Sequence, residues 1–133
     1  MGVLSSLLVS CADVKLNPYR LPYTEENTLR PATVRGCHLP EGAAPPFLEF
    51  GSIPLYPISS SRKGEESTIA LNYTVNTHGE VSLNTGLDDP QDYFFSHAAV
   101  AIQDWKMRPA KLNGTPITVQ CRTMFYYRME KDF

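Results

Sequence analysis

Beyond Pro57 the apolar positions of this chain follow two different periods. Ile69, Leu71, Tyr73 and Val75 alternate with Ala70, Asn72 and Thr74, the two-residue period of a half-buried strand. Thr77-His78-Gly79 supplies a turn with a glycine free to take positive φ. Val81 and Leu83 then resume the alternation, so a hairpin is expected. Gly86 to Pro90 reads as a loop. After it, Phe94 or Phe95, Ala98, Ala101 or Ile102, and Trp105 recur at three- and four-residue spacing, which predicts an amphipathic helix. Asp89 suits its N-cap, Pro90 its first position and Asp92 its first turn. Pro109 is expected to end it at about Met107. Asn113-Gly114 makes a tight turn. From there Ile117, Val119, Cys121, Thr123, Phe125, Tyr127 and Met129 alternate with Thr118, Gln120, Arg122, Met124, Tyr126 and Arg128. That pattern predicts a long last strand with one apolar and one wet face. With a short helix around Ile58 to Lys63, the result is a small α+β domain.

The segment before it is different. Residues 12 to 57 hold eight of the eleven prolines, a density that forbids long helices and disfavours interior strands. Tyr19, Leu21, Tyr23, Leu39, Phe47, Leu48 and Phe50 nevertheless give it apolar surface to bury. It is expected to be a Pro-rich arm packed on the domain that follows. The division is 1–11, a signal-peptide remnant; 12–53, the arm; and 54–133, the domain.

Composition narrows the function. The 133 residues are 42% hydrophobic with a net charge of -2 and interspersed signs, so no basic stripe exists for nucleic acid to follow. No apolar run approaches the ~18 residues of a membrane span. His38, His78 and His97 are scattered, and the cysteines at 11, 37 and 121 lack metal-site spacing, so neither a metal nor another cofactor is expected. No G-x-S-x-G, H-E-x-x-H or carboxylate pair supports an enzyme or a small-molecule substrate.

The first eleven residues, MGVLSSLLVSC, end in Leu8-Val9-Ser10-Cys11. This resembles a bacterial lipobox, with Cys11 as the lipidated residue, although a basic n-region is missing. The alternative is an apolar strand or helix with a plain buried Cys11. If Cys11 carries lipid, Cys37 and Cys121 remain as one pair in a compartment where disulfides persist. Their alternative is two free buried thiols. Trp105, on the apolar side of the helical pattern, is expected to anchor the core and not to form a binding platform.

From Pro54 onward these residues resemble the C-terminal domain of the TonB energy-transducer proteins. Pro54-Leu55-Tyr56-Pro57 looks like that family's P-x-Y-P opening, and GEESTIALNYTVNTHGEV is similar to its first strand and turn. In FSHAAVAIQDWKMRPAKLNGTPITV, Phe95, Ala98-Ala99, Trp105, Pro109-Ala110, Asn113-Gly114 and Pro116 fall at family spacing. Ser96 and His78 stand where the family usually has acids. The membrane helix and long Pro-rich spacer of TonB itself are not seen in these residues.

The resemblance implies two helices on a three-stranded antiparallel sheet and a non-catalytic periplasmic protein that binds a protein partner by sheet-edge pairing, in TonB-type transport. The partner would be an outer-membrane receptor, another envelope protein or a second copy, with the protein held by lipid to the inner or outer membrane of a Gram-negative bacterium. A chain-terminal strand can lie at a sheet edge, so the outward residues Thr118, Gln120, Arg122, Met124, Tyr126 and Arg128 are the candidate partner-binding set. The alternative function is a structural adaptor of an envelope assembly that binds through the Pro-rich arm.

Overall fold

A computed structural model describes residues 13–16, 28–29, 31–84 and 92–129. The elements in the first third are β1 (Asp13–Leu16), β2 (Thr28–Leu29), β3 (Ala32–Thr33), β4 (Cys37–His38) and β5 (Phe47–Ser52). The domain continues with α1 (Ile58–Lys63), β6 (Ser67–Val75), β7 (Val81–Leu83) and α2 (Tyr93–Ile102). It closes with β8 (Lys106–Arg108), β9 (Ala110–Leu112), β10 (Thr115–Ile117) and β11 (Val119–Tyr127). The lipobox-like residues Leu8 to Cys11, the last expected from the sequence to carry lipid, and the loop residues Asp89 and Pro90 lie outside the described residues.

The main sheet runs β1-β11-β6-β7, with β4 also beside β11. β11 and β6 are antiparallel over nine register pairs, from Val119↔Val75 to Tyr127↔Ser67. Strict alternation puts Ile69, Leu71, Tyr73 and Val75 of β6 and Val119, Cys121, Thr123, Phe125 and Tyr127 of β11 on one buried face. α2 lies against that face through Ala98 and Ile102. The one polar member, Thr123, shares a 2.9 Å hydrogen bond with the Tyr73 hydroxyl, which offsets the cost of burying both.

The turns follow their sequence chemistry. Asn76 Oδ1 accepts from the amides of His78 and Glu80, each at 2.9 Å, and Gly79 takes φ 79°. Asn113 and Gly114 both have positive φ, 52° and 79°, as a two-residue hairpin turn requires. That hairpin pairs β9 with β10, so the long terminal alternation is two strands, interrupted at Thr118.

Two helix boundaries differ from the sequence pattern. The N-cap is Asp92, whose carboxylate accepts from the Phe95 amide at 3.1 Å. At the other end α2 stops at Ile102, five residues before Met107. The amides of Asp104 and Trp105 reach back three residues, to Ala101 and Ile102, a tightened last turn. Lys106 to Arg108 then pair with β5, burying Met107 between two exposed cations. Strand pairing with β5 outweighs the helical spacing here, and Trp105 sits in the joint, not on the helix.

The described strands of the Pro-rich segment pair with the domain or with one another. β5 lies at the centre of a second small sheet, with β8 on one side and β2 and β3 on the other. Trp105 is 3% exposed; its indole N–H donates to the Ser52 carbonyl at 3.1 Å, and its ring lies edge-on to Tyr73. It therefore fastens β5 to the core of the main sheet.

Candidate partner-binding flank of the last strand

β11 is not an edge strand. One flank carries β6, and the other is shared between two short strands from the Pro-rich segment. β4 pairs antiparallel at Gln120↔His38 and Cys121↔Cys37. β1 pairs in parallel, from Asp13↔Met124 to Leu16↔Tyr127. Between them the Arg122 amide donates to the Gly36 carbonyl at 2.7 Å. Sequence reasoning missed both strands because each is four residues or fewer and lies among prolines. The available signals were Val14 and Leu16 at alternate positions and the Cys37 partner for Cys121.

The structure joins Cys37 to Cys121 by a disulfide across 84 residues of chain. The two half-cystines are register partners on adjacent strands, so the bond binds β4 to one half of the flank. The β1 half has no such bond.

The six outward candidates fall along one open side of the last strand but differ in availability. Thr118, Gln120 and Arg122 are exposed, and Met124, Tyr126 and Arg128 are half-buried. Gln120 is already engaged, accepting from Thr74 Oγ1 at 3.3 Å and from the Asn84 side-chain amide. Arg128 is pinned more firmly. Its guanidinium donates to the Ser67 carbonyl at 2.9 Å and to Thr68 Oγ1 at 2.7 Å, and lies over the Tyr126 ring. Of the two cations in this set, Arg122 has no side-chain partner among the described residues, whereas Arg128 does.

At the far end of β11 the buried face is aromatic. Tyr127, Phe94 and Tyr56 meet edge-on, with ring centroids 4.7 to 5.7 Å apart. The Tyr127 hydroxyl donates to the Phe94 carbonyl at 2.9 Å. Burial, reinforced by Asp92 and Tyr56, pushes its phenol far above the ordinary tyrosine range. Burial and Glu66 also raise Tyr56, whose hydroxyl donates to the Glu65 carbonyl. These phenols stay neutral and act as structural donors.

His38, His78 and His97 are not brought together, and among the described residues no cluster of His, Cys, Asp or Glu could hold a metal. Nor is any described helix long and apolar enough to cross a membrane.

Comparison with known proteins agrees with this architecture. The solution structure of the TonB C-terminal domain from Pseudomonas aeruginosa aligns with a TM-score of 0.53 at 19% identity, covering 71% of this chain and 93% of that one. No curated protein sequence matches. The sequence profile of the Gram-negative bacterial TonB protein C-terminal family matches residues 52–129. By that match the chain belongs to the TonB C-terminal domain family, a family of non-enzymatic protein-interaction domains.

Proposed function

We propose that this chain is a non-catalytic periplasmic protein that binds an extended segment of another envelope protein along the flank of β11, in TonB-type transport. The observation that carries this reading is that the flank already accepts added strands, one parallel and one antiparallel, from its own chain. Backbone pairing of this kind tolerates many sequences, while side chains on the open face select among them. Arg122 would meet an acidic side chain, with Thr118, Gln120, Met124, Tyr126 and Arg128 completing the surface. The partner is an outer-membrane receptor or another envelope protein, and Cys11 is the site of a lipid anchor. The alternative is the adaptor reading, with the arm as the binding element; β4 and β5 of that arm pair internally, as β11 does.

Photo-crosslinking in intact cells tests this. A benzophenone amino acid at Arg122 or Met124 is expected to capture an envelope protein, while one at Ser82 on β7 is not. Capture from Glu41 or Ala43 of the arm, with none from β11, would overturn the reading in favour of the adaptor.

A further inference from the structure

The two halves of the β11 flank are closed in unequal ways. At Gln120 and Cys121 the covering strand is covalently held. At Met124 to Tyr127 the flank is covered, among the described residues, by β1 alone, over four register positions. β1 makes the only parallel pair in the described main sheet, and eleven residues separate it from β2. Losing it would leave all nine β6–β11 register pairs in place. Its register is still specific: Val14 stands opposite Phe125 and Leu16 opposite Tyr127, two buried residues of β11. A slip of one residue would place both aliphatic positions opposite outward-facing residues instead.

We infer that Asp13–Leu16 is a displaceable internal strand that occupies the partner's place on β11, closing the binding flank until it is released. This rests on the reading that a partner pairs with that flank. A short strand pair is of marginal stability, so β1 can leave while the disulfide keeps β4 seated. A partner then meets only the fraction of molecules with β1 undocked, and its apparent affinity is lowered in proportion to that fraction. The disulfide sets the limit of the opening: the backbone of residues 124–127 becomes available for pairing, and that of residues 120–121 stays paired with β4, leaving only the outward Gln120 side chain accessible there.

The test uses a fluorescent peptide with the sequence of residues 12–17, ADVKLN, as the probe. In full-length Val14→Pro/Leu16→Pro protein, β1 loses two amide donors and disfavours pairing. The peptide is expected to bind this variant at least tenfold more tightly than the unmodified chain; equal binding would overturn the inference. In a Cys11→Ser background, an oxidised Lys15→Cys/Tyr126→Cys pair joins two register partners and should weaken peptide binding at least tenfold. Unchanged binding by the locked form would also sink it. Hydrogen exchange supplies an independent reading. Amides within residues 124–127 of the double-proline variant should exchange at least tenfold faster while 120–121 stay protected, and equal rates count against β1 release. If crosslinks from Arg122 are found but these readouts do not move, the internal strand fails and the binding flank stands. If the readouts move and no partner crosslinks, the reverse holds.

Discussion

A β-carbon built on Gly79 would lie 1.8 Å from the carbonyl oxygen of Met107. The turn of the β6–β7 hairpin thus presses on the backbone of β8, joining the main sheet to the second one. Gly79 also has φ 79°, where a side chain is strained. We expect Gly79→Ala to destabilise the protein by about 2 to 4 kcal/mol, combining left-handed strain with forced repacking. Gly42 has φ 82° and open space around it, so Gly42→Ala should cost only about 1 kcal/mol. Urea unfolding of the two variants separates these contributions, and equal losses would show that the Met107 contact is unimportant.

Tyr127 makes stability sensitive to alkali. Its folded-state phenol is raised above the unfolded value, so the folded protein holds this proton more tightly. That contribution is fully present below about pH 10 and is lost as pH rises beyond it. Tyr127→Phe removes the bond to Phe94 and should cost about 1 kcal/mol at neutral pH. Above pH 10 its stability should fall less steeply than the unmodified protein's. Thermal melts from pH 8 to 11 measure both effects, and parallel curves would exclude Tyr127 as the source.

The disulfide should be among the larger single contributors. Closing a loop of this length is worth up to about 4.5 kcal/mol in the chain-entropy model. Reduction, or paired Cys37→Ser and Cys121→Ser substitutions, should lower the denaturant midpoint without unfolding the β6–β11 ladder. Intact mass before and after reduction and alkylation establishes that the bond is present.

Trp105 should behave as a core residue. Trp105→Phe loses the bond to Ser52 and part of the ring, at a cost of about 1 to 3 kcal/mol. Partner crosslinking from Arg122 should be unchanged in that variant when it is folded. Loss of crosslinking by a folded Trp105→Phe protein would instead make the indole part of the binding surface.

Much of the domain is legible in the sequence, for specific physical reasons. β6 and the buried side of β11 show because one face of each is covered and the other is wet, so alternation survives in the residues. The turns at Gly79 and Asn113-Gly114 show because positive φ restricts which residues can stand there. α1 shows at Ile58 to Lys63 with Gly64 just past it. The missed elements are those whose partners are distant in sequence. β8 looks helical by spacing because Met107 and Trp105 are buried by β5 and Ser52, more than fifty residues away. Asp92 replaces Asp89 as the cap for a related reason: both acids suit the role, and local preference alone cannot choose between them. The closure of β11 was the least legible, since four residues among prolines carry too little pattern to announce a strand.

β1 begins two residues after Cys11, and this sets how far the domain can stand from a lipid anchor placed there. With β1 docked, the tether spans at most ~7 Å of extended chain. With β1 released, the next strand among the described residues begins at Thr28, and seventeen residues of fully extended chain would span ~60 Å. Exposing the flank and lengthening the leash are then one event. A domain held close to its own membrane would be closed, and one that has captured a partner would be free to reach away from it.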